Sequence, residues 1–433
     1  MSKFLASVLC AVLLSHATAA APAASSLVAS SSIASAASGT GTASAASASP
    51  TVPYASNNPN GIMWSPDTDS GEPQPFRGSL GASILGPQNI PIDIQNPDLL
   101  APPTTDAGTV GNAKWPMSLS SNRLQTGGWA RQQNVAILPM ATQMAGVNMR
   151  LEAGAVRELH WHKTAEWAYI LSGYTQVSSV DPEGRNYLAT VGPGDLWFFP
   201  AGVPHSLQAT AESTNGTEFL LVFPDGTFSE DSTFMLTDWT AHIPKEVLAK
   251  NFQVDMSAFD NIPGSELYIF PSAPPTSNTA VAATPLSGGS VKIADSTTFN
   301  ISTQIAVAEI TIVPGGMREL HWHPTEDEWG FFLEGQARMT LFASSGNART
   351  YNYEAGDVSY VPATYGHYVE NIGNTTLKFI EVFNTDRFQD IGLAQWLALT
   401  PPALVQSHLQ LSDEMMTHLN KTKQIVVGPV STS

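Results

Sequence analysis

The sequence predicts an all-β protein: two tandem domains, each a β-sandwich or β-barrel, with short flanking helices. Three observations predict it. Short β-rich runs recur between Gly, Pro and Asp turns, as expected for sandwiches and barrels. The runs come twice in one order, and blocks 130–162 and 291–323 align without a gap. The hexapeptide Arg-Glu-Leu-His-Trp-His stands at 157–162 and again at 318–323.

In chain order, Lys3, the apolar run Phe4–Leu14 and the small residues at 17–20 read as a secretory signal peptide over 1–19. The run is too short to span a bilayer. No later stretch reaches that length, so a soluble, secreted, extracellular protein is expected. Cys10, the only cysteine, falls inside the signal. A mature chain without it has no disulfides and relies on its core and on metal. Residues 20–75 read as a linker; up to residue 56 they are Ala, Ser, Thr and Pro with almost no charge. The expected layout continues with an N-terminal arm and first domain at 76–270. A linker, the second domain and C-terminal helices follow at 271–433. The arm, Pro- and Gly-rich to about residue 128, is expected to wrap over other parts of the fold.

The first domain's strands are Val147–Leu151, Ala168–Leu171, Gln176–Val180 and Phe219–Phe223, with a hairpin turn at Asp181-Pro-Glu-Gly184. Thr237–Asn251 has helical character, with Pro244 near a helix start. The second domain repeats the order with Ala306–Ile312, Gly330–Leu333, Ala337–Phe342, a turn at Ser344–Asn347, and Leu377–Ile380. Residues 391–421 are helical in pattern.

The formal net charge is −18, and loss of Lys3 with the signal makes it −18 − 1 = −19. That balance argues against nucleic-acid and anionic-membrane partners. It also means that an anionic substrate needs local cations. Asn215, Asn300, Asn374 and Asn420 each begin an Asn-x-Ser/Thr tripeptide, as suits a secreted glycoprotein.

Side chains two apart on a strand share a face, so His160 and His162 point together, as do His321 and His323. A lone His-x-His is more often an ordinary surface or core pair than a metal site. Here each pair belongs to a quartet: His160, His162, Glu166 and His205, then His321, His323, Glu328 and His367, offset by 161 to 162 residues. Three imidazoles and a carboxylate suit a divalent Mn, Fe, Zn or Ni ion and leave two positions open in octahedral geometry. Arg157 and Arg318 precede the first histidine of each quartet by three residues. Odd spacing turns them away in a regular strand, and a bend after Gly154 or Gly315 is expected to aim them inward. A guanidinium beside an open metal position suits a small carboxylate; the bland alternative is a structural ion pair. Glu230, in the polar stretch Ser229-Glu-Asp-Ser-Thr233, is the candidate proton carrier, with Asp231 expected to raise its pKa. Its bland alternative is a solvated loop acid.

The paired motifs resemble those of the cupin superfamily, and their duplication resembles a bicupin. The likeness narrows to the oxalate decarboxylases over roughly 87–430, on Gly194–Pro200, Ser229–Thr233 with Leu236-Thr-Asp-Trp239, and Gly356–Pro362. It departs from the usual pattern at Ala209, Thr364 and Asp231. The resemblance implies two cupin (jelly-roll β-barrel) domains and two manganese ions per chain, with dioxygen as co-catalyst. The implied reaction takes oxalate to formate and carbon dioxide by a temporary one-electron oxidation. It also implies that Arg157 and Glu230 are catalytic, that Arg318 and Glu381 line a second substrate-binding site, and that the chain forms a homo-oligomer, trimer or hexamer. Trp161 and Trp322 face away from the metals and, by the same likeness, stack between subunits. An oxalate oxidase, an aromatic-ring dioxygenase and a non-enzymatic storage bicupin are the rivals.

Overall fold

The computed structural model describes residues 72–429, apart from 78–79, 181, 183–185, 253, 276–283, 287–288, 344–346 and 401–411. The expected signal peptide and most of the linker lie outside the described residues, as do most of Asp181–Gly184 and Ser344–Asn347. The strands that those two turns would join, 175–180 with 186–191 and 336–342 with 348–354, pair antiparallel in full register.

Each domain is a jelly-roll barrel of two antiparallel sheets. In the first, one sheet runs 186–191, 175–180, 205–209, 156–161, 234–235, with 269–270 also on 156–161. The facing sheet runs 196–199, 166–172, 217–223, 145–151, 128–133, 123–125. The second domain repeats this with 348–354, 336–342, 367–371, 317–322, 391–392 against 284–286, 289–294, 306–312, 377–383, 328–334, 357–361.

Strands 166–172 and 217–223 are buried on both faces, which explains their nearly continuous apolar sequences. Ala168, Ile170, Phe219, Leu221 and Phe223 fill the first barrel. The alternate residues Trp167, Tyr169, Leu220 and Val222 meet Trp329, Phe331, Ile380 and Val382 of the second domain in a separate core. The second barrel has its own core around Ile310, Phe332, Tyr351 and Phe379. Period-two geometry thus makes one strand serve two cores.

From Asp98 to Pro116 the arm lies on the second domain, although it precedes the first in sequence. Lys114–Pro116 adds a strand beside Asp357–Ser359. Two short helices, Ile90–Gln95 and Pro97–Leu100, bring Asp98 between Arg77 (3.0 Å) and Arg338 (2.8 Å). These ion pairs and the added strand hold a segment too poor in large apolar groups to form a core of its own.

The expected helix at 237–251 is two helices, Leu236–Ala241 and Lys245–Phe252. Pro244 lacks an N–H and cannot continue a helix from the residues before it; it opens the second helix instead. At the C-terminal end, 391–392 is a strand and the described helices are Leu393–Leu399 and Asp413–His418.

Candidate metal centres and the first-domain site

The ligand quartets come together as the spacing predicts. The strand Val156–Trp161 presents His160, and the chain just beyond it carries His162; Glu166 opens the next strand and His205 opens Thr-free strand 205–209 opposite His160. In each quartet the four donor atoms lie within 4.8 Å of one another, and all eight residues are buried.

The histidine tautomers are set by the backbone. Nδ1 of His160, His162 and His205 faces the carbonyls of Glu158, Thr164 and Val203 at 2.5, 2.7 and 2.8 Å. Nδ1 of His321, His323 and His367 faces those of Glu319, Gln389 and Tyr365 at 2.6, 2.7 and 3.0 Å. A carbonyl can only accept, so Nδ1 carries the proton and Nε2 keeps its lone pair for a metal. Nε2 of His321 is buried without a hydrogen-bond partner; that of His205 has only the Glu166 carboxylate at 3.4 Å. Burial and the neighbouring Arg157 hold the His160 imidazole neutral, and burial and Arg318 do the same for His321. Burial alone would raise the pKa of Glu166, but His205 and His162 outweigh it and keep the carboxyl ionised. Trp197 Nε1 donates to Glu166 Oε1 at 2.9 Å and leaves Oε2 turned toward the imidazoles. Nε2 atoms that converge on an ionised carboxylate form a donor set that fits a divalent cation.

Both arginines point inward, by a different device from the bend expected after Gly154 and Gly315. Arg157 and His160, three residues apart, pair with Leu207 and His205, two apart. Arg318 and His321 pair likewise with Val369 and His367. The extra residue in each ligand strand makes a β-bulge, which restores Arg and His to one face and leaves Leu159 and Leu320 exposed.

Arg157 donates from Nη2 to Glu230 Oε2 at 2.8 Å, and its Nη1 lies 3.2 Å from Met235 Sδ. Its buried Nε has no partner. Glu230 sits on a single 3-10 turn, Glu230–Ser232, and is itself buried. Asp231, expected to act on Glu230, points outward to Arg123 at 3.4 Å with its side chain 82% exposed. The charge that faces Glu230 is therefore the Arg157 guanidinium.

Sequence reasoning missed Tyr268. Its hydroxyl donates to Glu230 Oε2 at 2.8 Å, and its ring lies between the guanidiniums of Arg157 (4.2 Å) and Arg123 (3.7 Å). Burial, and next the Glu230 carboxylate, raise its pKa, so it remains a donor. It also missed Glu158. The bulge buries that carboxylate under the N–H groups of Thr237, Leu267 and Tyr268 at 2.8, 2.7 and 2.9 Å. Tyr268 has no motif signal and lies 111 positions from Arg157, whereas Glu158 is the second residue of the repeated hexapeptide.

The second centre differs around its arginine. Arg318 is held by Asp390 at 2.7 Å and Glu381 at 3.3 Å, with all three side chains inaccessible. Its Nη1 also donates to the Ile425 carbonyl at 3.4 Å. Burial raises the pKa of Glu381 despite Arg318, whereas Arg318 and Lys423 overcome burial and lower that of Asp390. Glu381 lies against Arg318; Asp390 was not anticipated. Trp161 faces away from the first quartet, as expected, and packs on Phe234 (5.5 Å) and Trp239 (5.3 Å); Trp322 packs on Trp396 (5.4 Å).

Two jelly-roll barrels, each with a buried quartet of three histidines and a glutamate, define a double-barrel metalloprotein. The cupin family model matches residues 119–258 and 281–417. Oxalate decarboxylase OxdC of Bacillus subtilis is 52% identical over 375 residues, covering 82% of this chain and 97% of that protein. A probable oxalate decarboxylase of Arthroderma benhamiae is 40% identical over 379 residues, covering 82% and 93%. A solved structure of the Bacillus subtilis oxalate decarboxylase, studied for its Mn(II) centres, superimposes with a TM-score of 0.79 at 50% identity, covering 83% of this chain and 100% of that one. The chain belongs to the cupin family, as a bicupin of the oxalate decarboxylase type.

Proposed function

We propose that this protein is a secreted, manganese-dependent enzyme that converts oxalate to formate and carbon dioxide at the first-domain centre, with dioxygen as co-catalyst. The observation that carries the assignment to that centre is Arg157, buried beside the quartet with an unpartnered Nε and with Glu230 on its Nη2. A buried donor without a partner is costly, and a substrate carboxylate would satisfy it. Arg318, in contrast, is already occupied by two carboxylates. The manganese assignment is supported by the Mn(II) centres of the Bacillus subtilis relative and by the donor set.

Bound manganese, together with dioxygen, would supply a temporary one-electron oxidation, which spares the reaction an unstabilised carbanion. The remaining tasks fall to this chain. Arg157 binds one oxalate carboxylate and polarises it. Glu230 receives both Arg157 and Tyr268 on Oε2, so a transferred proton resides on Oε1. Taking up the carboxyl proton of hydrogen oxalate and returning it to carbon after carbon dioxide leaves balances the reaction: hydrogen oxalate gives formate and carbon dioxide, with no net oxidation.

The second site, with Arg318 and Glu381 as its substrate-binding residues, is proposed as structural or electron-relaying first and catalytic second. Secretion is supported by the signal-like N-terminus and by exposed Asn215, Asn300 and Asn374. A homo-oligomer, trimer or hexamer, is supported by exposed Trp239, Phe252, Trp396 and Leu399 on the flanking helices. Among the described residues, no helix is long and apolar enough to cross a membrane.

The test is Glu230→Gln, with formate, peroxide and bound manganese measured on one preparation. Formate production should fall at least about tenfold, or about 1.4 kcal/mol of transition-state stabilisation. The peroxide-to-formate ratio should rise and the metal content should stay parental. An unchanged formate rate would remove Glu230 from the mechanism.

A further inference from the structure

We propose that Gln132 and Arg123 are positioning residues: the hairpin that carries them keeps the 229–233 segment closed, with Glu230 at the site. This rests on the role proposed for Glu230. The hairpin is formed by Arg123–Gln125 and Gly128–Gln133.

The 229–233 segment has few bonds of its own. It makes one 3-10 turn, in which the Ser229 hydroxyl accepts from the Asp231 N–H at 3.3 Å and the Ser232 hydroxyl donates to the Ser229 carbonyl at 2.7 Å. Such a turn is too short to hold its shape unaided. Gln132 meets it at two points. Its Oε1 accepts the Glu230 N–H at 3.0 Å, and its Nε2 donates to the Ser229 hydroxyl at 3.2 Å. One amide therefore fixes the backbone from which the Glu230 side chain departs.

Arg123 acts from the outer side. Its guanidinium lies over the Tyr268 ring, 3.7 Å from its centre, and the Tyr268 hydroxyl holds Glu230; the same guanidinium reaches Asp231 at 3.4 Å and also pairs with Glu266. The Asp231 pair is exposed and worth little alone. The stack gives it a fixed base, because the other face of Tyr268 rests on Arg157. Tyr268 is thus clamped between an outer and an inner guanidinium, and each of them reaches one acid of the segment.

The repeat supplies a comparison. The strand Gly128–Gln133 corresponds to Gly289–Ala294, 161 residues on, which puts Ile293 opposite Gln132. Isoleucine can make neither amide bond. The amide therefore occurs in the domain that has the Glu230 segment and is missing from its copy in the domain that lacks it.

The experiment uses the full manganese-loaded chain and three variants. Gln132→Leu removes both amide bonds at similar volume. Gln132→Glu keeps the acceptor for the Glu230 N–H. Arg123→Gln removes the outer stack and charge from a residue exposed enough to tolerate change. Three readouts are taken together: backbone hydrogen exchange at 229–233, bound manganese, and formate against peroxide from oxalate. Exchange should quicken about tenfold in Gln132→Leu and less in Arg123→Gln, with Gln132→Glu between Gln132→Leu and the parent. The peroxide-to-formate ratio should rise about threefold or more in Gln132→Leu, in the same order among variants, with metal content unchanged. Parental exchange in both Gln132→Leu and Arg123→Gln would overturn the proposal. Faster exchange with a parental product ratio would overturn it too, since the segment would then be held without positioning Glu230. If Gln132→Leu does not fold, Arg123→Gln and Gln132→Glu decide by the same readouts. A parent chain that makes no formate would instead overturn the reading of Glu230, and hydrogen exchange would still decide whether the hairpin holds the segment.

Discussion

Arg157 and Arg318 occupy the same place in the repeat but keep different company, and that difference separates the two centres. Arg157 shares one guanidinium nitrogen with Glu230 and retains a free buried Nε, whereas Arg318 is locked between Glu381 and Asp390. The lock has a pH signature. Burial would raise the pKa of Asp390, but Arg318 and Lys423 hold it below the ordinary aspartate value. A carboxylate with a folded pKa below its unfolded one stabilises fully above the unfolded value, about 3.9. That stabilisation is lost as the pH falls through the lower, folded value. Asp390→Asn should therefore cost about 3 kcal/mol near neutral pH, because it leaves Arg318 short of a buried partner. It should also flatten the loss of stability below about pH 4. Denaturant unfolding of parent and variant from pH 6 down to pH 2 measures both, and parallel curves would show that Asp390 contributes no such linkage.

At the scale of elements, two local irregularities shape each site. The bulge in each ligand strand brings an arginine at odd spacing onto the histidine face and buries the glutamate beside it. The turn that delivers the last histidine needs a left-handed residue. The first domain supplies Gly202 with φ of 77°, and the second holds Thr364 with φ of 70° at the matching position. Both N–H groups donate to the carbonyl of a metal-quartet histidine, Gly202 to His162 at 2.9 Å and Thr364 to His323 at 2.8 Å. A β-branched residue pays strain in this region that glycine does not. Thr364→Gly should therefore stabilise the second domain by about 1 kcal/mol, net of the greater freedom of an unfolded glycine. Thermal and denaturant unfolding are the measurement; a destabilised variant would mean that the threonine side chain contributes more than the turn costs.

Across the whole molecule, the domains share a third core built from the outward faces of their inner sheets. Gly146 packs against Trp329 of that core. A Cβ placed there would lie 2.2 Å from Trp329 Cζ2, and the Trp329 indole is already fixed by its N–H donating to Gln133 Oε1 at 2.6 Å. Gly146→Ala should cost about 1–3 kcal/mol by overpacking. The loss should appear as easier unfolding with both quartets still able to take up metal, since Gly146 touches neither. Unfolding curves and metal analysis on one preparation would check this, and an unchanged midpoint would mean that the interface yields at no cost. The arm adds a second tie of the same kind, because Asp98 neutralises Arg338 inside the second domain.

Two tandem β domains, sandwich or barrel, and the two ligand quartets are legible in the pattern of residues. Both rest on short-range rules: strand side chains alternate, so His-x-His shares a face, and the duplication shows the same spacing twice. The sequence also singled out Arg157, Arg318 and Glu230 through their places in or beside the motifs, while Glu381 came from the family resemblance. Tertiary structure alone decided the rest. The inward turn of Arg157 comes from a bulge defined by its partner strand, and spacing within one strand cannot reveal it. The turning away of Asp231 toward Arg123, and the meeting of Gln132, Tyr268 and Glu230, depend on segments over a hundred positions apart in places, with no periodicity to link them. The docking of the arm on the far domain likewise depends on Asp98 and Lys114 finding Arg338 and Asp357. Such contacts arise from how the barrels close, and closure is a property of the assembled sheets, not of any one stretch of chain.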